Sequence, residues 1–195
     1  MAAVAVVVFS DFTCPFSYVT EAALRKLGGE VELAVDYRAF ELFPAPAPLP
    51  LDAGMEWADP LRPLAEEAGI QLLRPGYQAR TRKAHEAARH AEEHGAGAEM
   101  RAVLFDGYFR EGLDIGRIDV LVELGERVGL DRTEMKVVLD IDRFSDAVLG
   151  DHEAALRSGV QETPTLGVGS GAAARVLVGA QPYAALRAAV TVAGE

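Results

Sequence analysis

The first forty residues leave little choice of topology. Residues 4–9 (VAVVVF) are short, β-branched and almost wholly apolar, the pattern of a strand covered on both faces. A turn-like Ser10-Asp11-Phe12-Thr13 follows. Phe16, Val19, Ala23, Leu24 and Leu27 then recur at helical spacing, and Gly28-Gly29 reads as the glycine stop that commonly closes a helix. Residues 31–40 (VELAVDYRAF) alternate well enough for a second strand. A strand, a helix and a strand in this order imply a parallel pair joined by a right-handed crossover.

Residues 41–50 (ELFPAPAPLP) hold four prolines, so neither a helix nor a central strand fits, and a stiff loop is expected. Helices are expected over 60–68, 77–94, 99–110, 117–128 and 133–141, with Asp131 as N-cap of the last and glycines between them. The end returns to mixed structure: a helix over 145–158, a strand over 165–168, a turn at 170–173, a strand over 175–178 and a helix over 182–192. The expected architecture is α/β. Residues 1–50 and 145–195 form one sheet with helices on both faces, and 55–145 form an all-helical insertion.

Composition narrows the function. The 195 residues are 50% hydrophobic, enough for a substantial core and too many for disorder. A formal net charge of −11 repels a phosphate backbone, so no nucleic-acid partner is expected. No apolar run nears the roughly 20 residues that span a bilayer, and no membrane partner is expected. The apolar start lacks the basic flank and cleavage site of a signal segment. The single cysteine excludes an internal disulfide and a cysteine zinc site, and favours a reducing, cytoplasmic compartment.

That cysteine stands where chemistry is expected. Asp11-Phe12-Thr13-Cys14-Pro15-Phe16-Ser17 lies where the first strand turns into the first helix, the edge of an α/β sheet at which ligands bind. Pro15 suits a first helical position. A thiolate at Cys14 would meet free N–H groups and the positive end of the helix dipole. The expectation is a partly exposed thiol more acidic than free cysteine. Ser17, one turn on, can donate to that thiolate but cannot resolve a mixed disulfide. Asp11 and Glu41 are candidate acids or bases that nothing in the sequence selects.

The stretch Cys14-Pro15-Phe16-Ser17 resembles the Cys-Pro-x-Cys site of thioredoxin-fold oxidoreductases, most nearly the DsbA-like branch with the FrnE proteins. Kappa-class glutathione transferases and 2-hydroxychromene-2-carboxylate isomerases are relatives of that branch. Thr81-Arg82-Lys83-Ala84-His85 is similar to its Thr-x-x-Ala-His. The run from Leu104 through Tyr108, Phe109, Gly112 and Asp114 to Ile115 is similar to its Leu-Phe…Tyr-Phe…Gly…Asp-Ile. Gly159-Val160 with Pro164, and Gly179-Ala180-Gln181-Pro182, complete the likeness, which spans nearly the whole chain. The resemblance implies a thioredoxin-like fold with a helical insertion and a cis Pro164 facing Cys14. It also implies a cleft in which Pro15, Phe16, Thr163, Pro164 and His85 meet substrate. Two departures stand out: Ser17 replaces the second cysteine, and Arg80 replaces an asparagine.

Cys14 and Ser17 are therefore the expected catalytic pair of a monothiol enzyme. No cofactor is expected to be bound, and glutathione or another low-molecular-weight thiol serves as cosubstrate. The reaction is thiol–disulfide exchange, or a glutathione-dependent isomerisation or transfer; a redox-inactive binding or chaperone-like protein is the alternative. The expected partners are that thiol and a protein or small-molecule substrate, with a homodimer left open. His90 and His94 share a helix face with Glu86 one turn before, a spacing that suits a metal. The surrounding Arg, Glu and Ala read instead as an exposed polar helix, and no metal is expected. Gly167-Val168-Gly169-Ser170-Gly171 lacks the lysine of a phosphate loop and reads as a hairpin turn.

Overall fold

The computed structural model describes residues 3–50, 58–73, 75–171 and 174–194. The expected start of the insertion at residue 55, and half of the expected turn at 170–173, lie outside them. The chain runs β1 (Val4–Ser10), α1 (Pro15–Gly28), β2 (Leu33–Ala39), α2 (Ala58–Ala68), α3 (Arg82–Glu93), α4 (Gly97–Phe109), α5 (Ile118–Arg127), α6 (Arg132–Asp140), α7 (Ser145–Arg157), β3 (Thr165–Val168), β4 (Arg175–Val178) and α8 (Tyr183–Ala193). The fold is a thioredoxin-like mixed α/β fold.

One sheet in the order β2-β1-β3-β4 draws on both ends of the chain. β1 and β2 are parallel, with Val6 opposite Val35; β3 runs antiparallel to β1, with Val8 opposite Leu166, and β4 antiparallel to β3. Because side chains alternate along a strand, Val6, Val8, Leu166 and Val168 share one face, where Leu24 and Leu27 of α1 and Leu186 and Val190 of α8 seal them from water. The opposite face is covered only in part. Phe9 and Phe40 pack against Ala155 of α7 and Val160. Helices therefore lie on both faces, as expected, but α7 leaves the β4 end open: Val176 and Val178 stand 71% and 50% exposed.

Some boundaries differ from the sequence reading. α3 starts at Arg82, not residue 77, with Thr81 as its N-cap; the Tyr77 carbonyl before it accepts from the Tyr108 hydroxyl of α4 at 2.8 Å. Gly29, the C-cap of α1, sits at φ −76°, so α1 closes without the left-handed turn that glycine allows. α3 is no exposed polar helix: Ala84, His85, Glu86, Ala87, Ala88, His90 and Ala91 are all buried.

A second core of Tyr18, Leu104, Phe105, Tyr108, Phe109, Leu121, Leu124, Met135 and Leu139 fills the helical block. A buried ion pair joins it to the sheet. Arg101 of α4 donates to both carboxylate oxygens of Glu21 on α1 at 3.0 Å and to the Ser10 hydroxyl at 2.9 Å. The Tyr37 ring of β2 lies 3.8 Å from its guanidinium carbon. The hydrogen bonds and ring offset the desolvation that makes a bare buried pair costly.

Candidate functional site

Cys14 is the N-cap of α1, with φ −89° and ψ 115°, and Pro15 opens the helix. At that position a side chain can accept from the free N–H groups of the first turn. The Ser17 N–H donates to Cys14 Sγ at 3.4 Å, and the thiol donates to the Thr163 carbonyl at 3.2 Å. The Thr163–Pro164 bond is cis, as the resemblance implies. The fold thus joins residues 149 positions apart, the first turn of α1 and the loop before β3.

Two expectations for the thiol need correction. Cys14 is 3% exposed rather than partly open. Burial pushes its pKa up from the ordinary value, so desolvation outweighs the helix start. The Ser17 and Thr163 hydroxyls and the Ser17 N–H pull the other way, while the Asp11 carboxylate adds a smaller push upward. Ser17 is buried, not solvated. Its hydroxyl accepts from the Asp11 N–H at 3.5 Å, which leaves its own hydrogen for the sulfur. The Thr163 hydroxyl is buried with no hydrogen-bond partner among the described residues. A thiolate formed at Cys14 would therefore find three donors.

Asp11 organises the turn. Its Oδ1 accepts from the Thr13 N–H at 2.8 Å and the Thr13 hydroxyl at 2.9 Å. Its Oδ2 accepts from the Leu42 N–H at 2.7 Å and the Thr81 hydroxyl at 3.1 Å. The carboxylate ties together the cysteine turn, the chain leaving β2 and the N-cap of α3. Burial pushes its pKa up, opposed by these four hydrogen bonds. Glu41 is taken up structurally: Arg82 pairs with its carboxylate at 2.5 Å, and its N–H donates to His152 Nδ1. Arg80 donates to the carbonyls of Phe43 and Ala47 and so braces the proline-rich loop.

The remaining expected cleft residues separate. The Thr163 carbonyl meets the sulfur, with Pro15 and Pro164 the chain neighbours of these two residues, while Phe16 packs half-buried against α2 with Val19 and Leu61. His85 lies behind the site, its ring 4.8 Å from that of Phe12. Its Nε2 is buried without a hydrogen-bond partner among the described residues, and burial holds its pKa well below the usual histidine range. It backs the cysteine turn as a neutral ring. Sequence reasoning missed the partners of Asp11 and the Arg101–Glu21–Ser10 cluster; a lone arginine in the apolar stripe of α4 is the signal it carried. A cavity of ≈ 550 Å³ lies away from Cys14, lined by Glu21, Arg25, Asp36, Tyr37, Glu92 and Arg101 among others.

The family model for the DSBA-like thioredoxin domain matches residues 5–191. The protein YwbO of Bacillus subtilis (strain 168) is 32% identical over 146 residues, 71% of this chain and 73% of that protein. Among solved structures, a probable DsbA oxidoreductase from Streptomyces coelicolor superposes with a TM-score of 0.83 at 24% identity, covering 98% of this chain and 90% of its own. The cytosolic disulfide reductase DsbM of Pseudomonas aeruginosa, solved with glutathione, gives 0.72 at 20% identity, over 96% and 99%. At these identities the two structures speak to the fold. No helix among the described residues is long and apolar enough to cross a membrane.

Proposed function

The chain belongs to the DSBA-like thioredoxin family, and from that premise we propose that it is a thiol–disulfide oxidoreductase that works through one sulfur and an external small thiol. One observation carries the reading: the chain's single cysteine caps α1, hydrogen-bonded to the Ser17 N–H and the Thr163 carbonyl, with two further hydroxyls at hand.

The chemistry follows from having one sulfur. The Cys14 thiol loses its proton, and the Ser17 N–H with the Ser17 and Thr163 hydroxyls hold the thiolate. The thiolate attacks one sulfur of a substrate disulfide. The Cys14–substrate S–S bond forms, the substrate S–S bond breaks, and the departing thiolate takes up a proton. Ser17 cannot supply a second thiolate, so a glutathione-type thiolate attacks the mixed disulfide and frees Cys14. For a glutathionylated substrate the sum is one mixed disulfide plus one glutathione giving one thiol and one glutathione disulfide. The thiol DsbM was solved with, glutathione, fits this role, as does a reducing compartment.

The burial of Cys14 favours a second reading: a protein that keeps the cleft and binds a partner with the thiol protonated. Turnover separates the two. The wild type should reduce a small test disulfide only with added glutathione, and Cys14→Ser should have no activity. Ser17→Cys should form an internal disulfide and gain activity as a dithiol enzyme. Strong wild-type turnover with no added thiol would overturn the monothiol reading; no turnover with glutathione would leave the binding reading standing.

A further inference from the structure

On α3 and α6, elements that supply neither Cys14 nor Thr163, three ligating side chains converge. His90 sits in the last turn of α3, His94 is the C-cap that follows it, and Glu134 lies in the first turn of α6. One ligand atom from each lies within 4.8 Å of the others. The two imidazole rings are 4.4 Å apart. We propose that His90, His94 and Glu134 form a binding site for a divalent first-row metal ion, Zn²⁺ foremost, that links the end of α3 to the start of α6.

Two observations beyond the clustering point to a cation. First, His90 is fully buried, and neither ring nitrogen has a hydrogen-bond partner among the described residues. A neutral imidazole always carries one donor and one lone pair, and burying both unused is rare because water has been lost and nothing replaces it. Second, the tautomer of His94 is set by its surroundings. Its Nδ1 lies 2.9 Å from the His90 carbonyl, an acceptor only, so Nδ1 holds the proton of the neutral ring. Nε2 then presents its lone pair to a Glu134 carboxylate oxygen 3.4 Å away. Two lone-pair donors face each other across a gap that a cation would fill. That separation is close to the distance of about 3.4 Å between neighbouring ligands of a tetrahedral ion with bonds of about 2.1 Å.

The donor set suits the ion. Two imidazoles and one carboxylate are a zinc combination, and three protein ligands leave a fourth position for water. Histidines four apart on a helix point the same way. His94 is 38% exposed and Glu134 48%, which leaves a path for the ion from solvent. Nearby, Arg143 is neutralised by Glu93 at 3.0 Å, so its charge does not stand unpaired beside the site. The sequence placed Glu86 as the third group. The structure turns Glu86 to Lys83 and the Phe144 N–H, and brings Glu134 from a helix some forty residues downstream.

A proton on His94 is the competing occupant, and calorimetry on metal-free protein decides between them. Zn²⁺ should bind at about one ion per chain with a dissociation constant in the micromolar range or tighter. Co²⁺ should give the visible absorption of a four-coordinate site. Binding should be the same in Cys14→Ser, which removes the only thiol. His94→Gln and Glu134→Gln, both at partly exposed positions that tolerate change, should each weaken Zn²⁺ at least tenfold. His90→Gln should do so as well, provided its circular dichroism matches the wild type. Absence of Zn²⁺ binding, affinity retained in both His94→Gln and Glu134→Gln, or loss of binding in Cys14→Ser would each overturn the proposal.

Discussion

Removing the Asp11 carboxylate should unfasten three segments at once. Four donors converge on it, two backbone N–H groups and two hydroxyls, at 2.7–3.1 Å. The site is dry, with Asp11 and Thr13 at 0% and 3% exposure, so water cannot replace the lost acceptor. In Asp11→Ala the hydroxyls can rotate to other acceptors, but the N–H groups of Thr13 and Leu42 cannot. Orphaning the buried Thr13 N–H costs about 1–3 kcal/mol and orphaning the half-buried Leu42 N–H somewhat less, so the loss should be about 2–5 kcal/mol. Asp11→Asn keeps an acceptor toward Thr13 but turns an amide N–H₂ toward the Leu42 N–H, which orphans one donor. It also removes a carboxyl that burial disfavours as an anion. Its cost should therefore be the smaller, about 1–2 kcal/mol. Urea unfolding of the three proteins, with similar slopes, measures the order wild type, Asn, Ala. A change within about 0.5 kcal/mol for Asp11→Ala, the range of an ordinary surface substitution, would refute the view that this carboxylate holds the turn.

Four other outcomes test the structure. Cys14 should alkylate with a pH midpoint above the free-cysteine value of about 8.5, because burial raises it; a midpoint below that value would contradict the structure. The folded thiol holds its proton more tightly than the unfolded one. Its contribution to stability is therefore whole below the unfolded pKa and lost as pH rises through the folded one, an alkaline decline that Cys14→Ser should lessen. Among the helix glycines, a Cβ on Gly150 meets nothing within 4 Å, so Gly150→Ala should stabilise by about 0.5–1 kcal/mol. A Cβ on Gly125 would fall 2.1 Å from Met135 Sδ in the helical core, so Gly125→Ala should cost about 1–2 kcal/mol in the same melt, and equal effects would refute the packing.

Local pattern carried the elements, and what it could not carry were the pairings across the chain. The β-branched run of β1, the Cys14-Pro15 helix start and the Asp131 cap are local, and the structure keeps them: the Asp131 carboxylate accepts from the Glu134 N–H at 2.8 Å. The misreading of α3 was a misreading of context. Its Arg, Glu and His residues look like a solvated face in sequence, yet the helix packs amid the rest of the helical block. Glu86 faces Lys83, Arg89 faces Asp151, and the ring nitrogens of His90 find no hydrogen-bond partner among the described residues. The thiol expectation failed for a similar reason. Proximity to a helix start is visible in sequence, whereas burial depends on the loop before β3, which arrives 149 residues later.

The same long-range contacts explain why a helical insertion and a small sheet make one site. The cysteine turn has no rigidity of its own, since residues 11–14 form neither helix nor strand. It is clamped from three sides. Thr81 at the start of α3 reaches Asp11, Arg101 of α4 reaches Ser10 and Glu21, and the Phe12 ring packs against His85 and Phe105. Each clamp comes from the helical block, and each grips a residue within seven positions of Cys14. The sheet sets where the turn begins and brings Thr163 to the sulfur; the helices set how firmly the turn is held. A substitution deep in α3 or α4 should thus reach the thiol through Phe12 and Asp11 without touching it, and change its reactivity more than the distance suggests.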